Sequence, residues 1–223
     1  MREMYRTVSR SQNESHFEML KSKAVKYLTG DKIFCEIGFS AGLTLRLAMP
    51  YFKKVYGLDI SPRNAEYTRN ELLTEGYTNF EIFSSDIMKY DSNLSKKFDV
   101  ISIIHGLEHF SNEDYPVLFA NIKRYLKPSG IFTGALPYKN RFNYRMCPHC
   151  HKLFEIDGHL TSHDENSLRQ LFADNSFNVI LIQKFNREYS LKKGSAVKRI
   201  MKRIYFLFNN DISTQLEYIV MPR

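Results

Sequence analysis

The chain has 223 residues, 43% of them hydrophobic, which is enough to bury one α/β domain with a small addition. No segment approaches the length of a membrane-spanning helix, and residues 1–15 lack the apolar run of a signal peptide, so we expect a cytoplasmic protein. Three cysteines are too few for a disulfide framework, and a formal net charge of +8 favours acidic partners such as nucleic acid or an anionic membrane surface.

Strands and helices are predicted to alternate along most of the chain. A leading helix is expected within residues 1–30. Strands are predicted near residues 32–37, 54–59, 79–84, 98–104, 130–136, 178–184 and 215–221. Helix starts are predicted at Gly42, at Ser61-Pro62 and at Ser111-Asn112. Such an alternation predicts a parallel sheet with right-handed crossovers.

A turn of small residues follows the first predicted strand. It reads Glu36-Ile37-Gly38-Phe39-Ser40-Ala41-Gly42, and the second strand ends in Asp59. The turn lets backbone approach a ligand at the carboxyl edge of the sheet, where Asp59 can accept hydrogen bonds from two vicinal ribose hydroxyls. Because three residues separate Gly38 from Gly42, the dinucleotide fingerprint G-x-G-x-x-G is not matched, which disfavours a nicotinamide-dependent reductase.

These segments resemble the class I S-adenosylmethionine-dependent methyltransferases, whose motif reads E/D-x-G-x-G-x-G; Ser40 replaces the middle glycine. The resemblance implies a Rossmann-like fold, with a mostly parallel seven-stranded sheet whose last strand is antiparallel, and S-adenosylmethionine as the cofactor. It assigns cofactor binding to Glu36, Gly38, Ser40, Gly42, Asp59, Ile60, Asp86, Ile87 and His105. Asp86 is expected to bind the adenine amine with Ile87 against the ring; the alternative is that Asp86 caps a turn.

The fourth strand ends in His105-Gly106-Leu107-Glu108-His109, which is similar to an L-E-H segment that faces cofactor and substrate in many of these enzymes. A hydroxyl or protonated amine acceptor needs a base, and His109 is the candidate. One alternative is that Glu108 and His109 only bond backbone at this turn. Another is a divalent ion, because His105-x-x-Glu108-His109 resembles the E-x-x-E-H of some metal-dependent O-methyltransferases, although histidine replaces the first glutamate.

An insertion is expected over residues 138–163, and it resembles the C-P-x-C…G-H insertion of a subset of bacterial methyltransferases. Four of its side chains have a spacing that suits one structural tetrahedral zinc: Cys147, Cys150, His159 and His163. His149 and His151 are further candidate ligands, and a metal-free loop is the alternative. A capping box of Ser162 and Glu165 is predicted to start the next helix.

A basic amphipathic helix is predicted over residues 190–210. It is interpreted as a helix packed on the domain, with docking to an anionic membrane or steering of an acidic substrate as alternatives.

The whole chain, residues 1–223, is thus predicted to be a single methyltransferase domain with a helical lid over residues 1–30. The resemblance implies methylation of an oxygen or nitrogen of a small metabolite or glycan intermediate. The alternatives are an RNA methyltransferase and a catalytically idle scaffold protein.

Overall fold

The computed structural model describes residues 14, 16–27, 30–185 and 215–223. The predicted basic helix over residues 190–210, and most of the first half of the predicted lid, therefore lie outside the described residues. No helix in the described ranges combines the length and the apolar character needed to cross a membrane.

One seven-stranded sheet organises the domain. Its strands are β1 Ile33–Ile37, β2 Lys54–Asp59, β3 Phe80–Ser84, β4 Phe98–Ile104, β5 Leu126–Pro137, β8 Phe177–Phe185 and β9 Gln215–Pro222. The order is β3-β2-β1-β4-β5-β9-β8, in which β9 runs antiparallel to both neighbours and the pairs from β3 to β5 are parallel. The predicted fold class, including the antiparallel last strand, is confirmed.

Helices cover both faces of this sheet. They are α1 over residues 16–23, α2 Leu43–Ala48, α3 Pro62–Thr74, α4 Tyr115–Tyr125 and α5 Glu165–Asp174. Alternate residues of the strands point to opposite faces, so Phe34 packs in a cluster with residues of α1, α2 and α3, whereas Cys35 packs in the cluster that contains α4 and α5. Two short strands, β6 Tyr144–Met146 and β7 Leu153–Glu155, form an antiparallel hairpin between β5 and α5.

One of the three predicted helix starts is displaced, whereas α2 begins after Gly42 as predicted. The helix expected at Ser111-Asn112 begins at Tyr115, because the backbone N–H and the hydroxyl of Ser111 both donate to the Asp114 carboxylate, at 2.9 and 2.8 Å, and form a separate turn. The prediction for Ser61 is confirmed, since its side chain accepts the N–H of Asn64 at the start of α3.

The predicted capping box of α5 is wrong. Asp164 is the N-cap: its carboxylate accepts the backbone N–H of Ser167 at 2.9 Å, and the Ser167 hydroxyl accepts the N–H of Asp164 at 2.9 Å. Ser162 instead donates its hydroxyl to the carbonyl of Asn140. The carboxylate lies directly before the helix, so it replaces the serine two residues earlier as the cap.

Candidate active site at the carboxyl edge of the sheet

The turn between β1 and α2 has the shape that a closely approaching ligand requires. Gly38, Ser40 and Gly42 have φ of +73°, +50° and +68°. A Cβ on Gly42 would lie 2.5 Å from Thr68 Cγ2, so no side chain fits there. Ser40 adopts the same left-handed backbone, at a cost of about 1–2 kcal/mol, where the family motif has glycine. The turn thus has the left-handed conformations that its glycines permit, and its binding of a cofactor stays a prediction.

Asp59 ties this turn to the tip of β2. Its side chain is buried, with Oδ2 accepting the N–H of Ser40 at 3.0 Å and Oδ1 accepting the N–H of Ser61 at 2.9 Å. Oδ1 also accepts a long hydrogen bond from Asn64 Nδ2 at 3.4 Å. A carboxylate has about four lone-pair sites, so these three bonds leave capacity for one ligand hydroxyl, and for a second one if the ligand displaces Asn64. Ile60, the next residue, is 72% exposed, and it offers an apolar surface beside that carboxylate.

Glu36 is buried at the end of β1. It accepts hydrogen bonds from the Thr44 hydroxyl and the Leu45 N–H, but burial dominates and raises its pKa to about 8. The carboxyl is consequently mostly protonated near neutral pH.

The loop after β3 combines a turn cap with a buried apolar side chain. Asp86 accepts the N–H of Met88 at 3.0 Å, which is the turn-capping alternative, and Lys89 Nζ lies 3.8 Å from its other oxygen. Ile87 is buried, and its carbonyl accepts a hydrogen bond from Asn121 Nδ2 at 2.8 Å. The predicted adenine contacts of Asp86 and Ile87 stay predictions.

His105 follows β4 in a left-handed conformation, with φ of +50°. Its N–H donates to the carbonyl of Ala135, and its Nδ1 lies 3.6 Å from Glu108 Oε1. His16 on α1 is a neighbour that the sequence did not predict: burial, followed by repulsion from His105, lowers its pKa to about 3. A neutral imidazole is thus brought to this edge from the far N-terminal helix.

Unpartnered polar atoms are concentrated here. The buried side-chain atoms without a hydrogen-bond partner in the described part of the chain include Glu36 Oε2, His105 Nε2, Glu108 Oε2 and His16 Nδ1. Buried polar groups are normally hydrogen-bonded, so such a concentration indicates a site for a polar ligand. Together with the close backbone approach that the glycine turn allows, these atoms fit a nucleoside cofactor that carries amino and hydroxyl groups.

The loop after β4 is attached to the far end of the insertion. His109 is exposed, and its Nδ1 lies 2.9 Å from the carbonyl of Gly158, so Nδ1–H donates and Nε2 carries the lone pair when the ring is neutral. The carbonyl of Glu108 accepts the N–H groups of Leu160 and Thr161, at 2.7 and 3.2 Å. These bonds bring the insertion over the end of β4.

The structure does not bring the four predicted zinc ligands together. Cys147 and Cys150 share the turn between β6 and β7, where backbone N–H groups of Cys150 and His149 lower the pKa of the Cys147 thiol. His163 is buried elsewhere: its Nε2 lies 3.0 Å from the Tyr115 hydroxyl, and burial lowers its pKa. Over the described ranges, no cluster of three or more candidate ligands contains a cysteine or His163.

Comparisons with known proteins agree with this fold. A family model described as a methyltransferase domain matches residues 10–182. A crystal structure of an S-adenosylmethionine-dependent methyltransferase from Clostridium acetobutylicum is similar with a TM-score of 0.68 and 14% identity, covering 94% of this chain and 91% of that chain. A Burkholderia thailandensis 1,6-didemethyltoxoflavin-N1-methyltransferase, solved with that compound and S-adenosylhomocysteine, gives a TM-score of 0.63 at 14% identity, covering 94% and 77%.

One curated relative matches a smaller part of the chain. An uncharacterised protein from Methanocaldococcus jannaschii is 25% identical over 83 residues, which are 37% of this chain and 31% of that protein. The chain thus matches about a third of the length of that relative.

The strand order, the antiparallel last strand and the glycine turn beside a carboxylate define a Rossmann-like methyltransferase fold. The chain belongs to the methyltransferase-domain family, whose model matches more than half of its residues.

Proposed function

We propose that this enzyme methylates an oxygen or nitrogen of a small metabolite or glycan intermediate at the carboxyl edge of its sheet. The observation that carries the proposal is the concentration of unpartnered buried polar atoms beside the turn from Gly38 to Gly42. When bound, S-adenosylmethionine supplies a sulfonium methyl carbon, whose bond to sulfur breaks as the acceptor atom bonds to it. A small-molecule acceptor is supported by the Burkholderia methyltransferase, which is solved with a small organic compound.

The described residues have separate tasks in this proposal. Asp59 holds the ribose hydroxyls, Asp86 and Ile87 bind adenine, and His105 lines the pocket. His109 lies beside the acceptor, and its Nε2 faces away from the bond that Nδ1 makes to Gly158. This nitrogen either accepts the acceptor's proton as a base, or binds a divalent ion that lowers the pKa of the acceptor. Positioning supplies most of the acceleration of such a displacement.

The activity is tested by following S-adenosylhomocysteine release with pooled hydroxyl and amine acceptors. Turnover with a member of one pool, lost in His109→Ala while cofactor binding is kept, supports the proposal. Turnover on RNA alone, falling steeply with salt as expected for a chain of net charge +8, would favour the RNA methyltransferase instead. Cofactor binding without turnover on any pool would favour the scaffold protein.

We expect cofactor binding to release a proton from Glu36. The raised pKa of about 8 means that the free protein holds this proton near neutral pH. A cation bound nearby favours the carboxylate and lowers its pKa, so the proton leaves on binding. Calorimetry with S-adenosylmethionine in two buffers of different ionisation enthalpy measures this release. Glu36→Gln is the control that should abolish the buffer dependence, and identical heats for the parent protein in both buffers would contradict the expectation.

We further propose that Cys147 and Cys150 contribute two thiolate ligands to a structural zinc ion through their shared turn. Support comes from the C-P-H-C turn itself, in which two backbone N–H groups point at the Cys147 sulfur. Cys147→Ser is expected to remove stoichiometric zinc and to lower the midpoint of thermal unfolding. Elemental analysis of the purified protein measures the metal, and His163→Gln is the control expected to keep it. Full zinc content in Cys147→Ser would exclude this ligand pair.

The cytoplasmic location, and the contact of the segment 190–210 with an anionic membrane surface, also stay proposals. The membrane contact is supported by the excess of lysine and arginine over acidic residues, 32 against 24.

A further inference from the structure

We propose that Glu217, Gln215 and Gln183 bind an ammonium group of the methyl acceptor, away from the atom that is methylated. Because β9 runs antiparallel to β5, its first residues lie at the carboxyl edge, where Gln215 pairs with Pro137 of β5. Glu217 lies between Ala135 of β5 and Gln183 of β8. The inference deepens the proposed function and rests on it, because it assigns a second functional group to the same acceptor.

The three side chains form one connected array of hydrogen-bond acceptors. Glu217 Oε2 accepts a hydrogen bond from Gln183 Nε2 at 2.8 Å, and Glu217 Oε1 accepts one from Gln215 Nε2 at 3.3 Å. A carboxylate only accepts, so both amides turn their nitrogen towards it and their carbonyl oxygen away. Gln215 is fully buried, yet its Oε1 has no hydrogen-bond partner within the described residues. The array therefore offers a negative charge and a free carbonyl oxygen, which suit a cationic donor such as an ammonium group.

The charge of Glu217 lacks a counterion within the part of the chain that the structure describes. The side chain is fully buried, and burial raises its pKa to about 7, while the hydrogen bonds from the two amides act in the opposite direction. A buried carboxylate is costly unless a cation pairs with it. A contact that only joined β9 to β8 would need no charge, whereas an ammonium ligand would offset the cost of this one.

Buried polar side chains continue from the cofactor turn towards this array. Glu36, Ser102 and Thr133 lie in register across β1, β4 and β5, and all three are buried. Ser102 Oγ is without a hydrogen-bond partner over the described ranges. These side chains face α1, because the residue two positions earlier in each strand packs in the cluster that contains α1. Glu217 faces the same side, since Ile219 belongs to that cluster.

The register sets the separation between the array and the end of β4. The carbonyl of Ala135 accepts the N–H of His105 at 2.7 Å on one side, and Ala135 pairs with Glu217 on the other. Neighbouring strands are about 4.8 Å apart, so the backbones of β4 and β9 are separated by roughly 10 Å here. A small molecule can span this separation. The acceptor is therefore bifunctional, with a nucleophilic oxygen or nitrogen at one end and an ammonium group several bonds away.

A matched pair of probes tests this subsite: 6-amino-1-hexanol and 1,6-hexanediol differ only in the ammonium group. The full chain, loaded with S-adenosylhomocysteine, is titrated with each probe by ligand-observed NMR at pH 8, where Glu217 is mostly ionised and the amine is protonated. We expect the amino alcohol to bind about 10- to 100-fold more tightly than the diol. Glu217→Gln should remove this preference. Glu66→Gln, the same change at an exposed glutamate of α3, should keep it.

Folding and cofactor binding are checked in the same samples by circular dichroism and by titration with S-adenosylhomocysteine. If Glu217→Gln does not fold, Gln215→Leu carries the test, because it removes the unpartnered Oε1 and should lower the preference by about 2- to 10-fold. Equal binding of the two probes to the parent protein, or an unchanged preference in the folded variant, overturns the ammonium subsite and leaves the proposed function intact. Failure to bind S-adenosylhomocysteine in a folded sample strikes the proposed function instead.

Discussion

Asp59→Ala is expected to weaken S-adenosylhomocysteine binding by about 2–3 kcal/mol, roughly 30- to 150-fold, because it removes hydrogen bonds to a charged acceptor. Asp59 is buried at the tip of β2 and also accepts the N–H groups of Ser40 and Ser61. The variant therefore loses direct contacts and also loosens the cofactor turn. Calorimetric titration measures the affinity, and thermal unfolding shows whether the fold persists.

Two further variants serve as a graded comparison and a control. Asp59→Asn keeps the shape of the side chain but loses the charge, so its affinity should fall between those of the parent protein and Asp59→Ala. Asp174→Ala removes an exposed carboxylate on α5 that accepts a hydrogen bond from the Gln170 amide, and it should bind normally. Unchanged affinity in folded Asp59→Ala would refute the placement of the cofactor site.

Gly134→Ala is expected to destabilise the fold by about 3 kcal/mol, at the upper end of what overpacking costs. Gly134 lies in the middle of β5, paired with Ile103 of β4 and Tyr218 of β9. An added Cβ would overlap the Ile103 carbonyl oxygen and the Tyr218 hydroxyl, and would lie 2.7 Å from Tyr218 Cζ. The carbonyl belongs to a buried strand and cannot move aside, so the midpoint of thermal unfolding should fall by roughly 6–12 °C.

Gly76→Ala is the matched control for this effect. Gly76 has φ of +85°, and an added Cβ would meet nothing within 4 Å, so alanine there suffers only the left-handed backbone, about 1–2 kcal/mol. A loss of stability in Gly134→Ala no larger than in Gly76→Ala would show that β4 and β9 accommodate the methyl group.

The sheet could be predicted from the sequence because its signals are local. Buried strands read as continuous apolar runs, such as Phe98–Ile104, and their turns carry glycine or an acidic residue. The turn between β1 and α2 was predictable for the same reason, since Gly38, Gly42 and Asp59 lie in one strand–helix–strand unit. Gly38 and Gly42 have positive φ and Asp59 accepts the Ser40 N–H, while cofactor binding by this turn stays a prediction.

The rest of the site depends on contacts between distant segments. His16 on the N-terminal helix lies close enough to His105 for repulsion between the two rings to lower its pKa, and nothing in its polar sequence surroundings indicates this proximity. His159 and His163 fit one zinc by spacing, yet the backbone bonds of the Glu108 turn bring His159 towards His109, while Tyr115 binds His163. Spacing counts residues along the chain, but it does not specify which element a loop packs against.

The central claim, that the carboxyl edge of this sheet binds S-adenosylmethionine, is tested most directly by calorimetric titration of the purified chain with S-adenosylhomocysteine. We predict one site of micromolar affinity, lost or strongly weakened in Asp59→Ala and kept in Asp174→Ala. Absence of binding to a protein whose folding is verified by circular dichroism would contradict the claim.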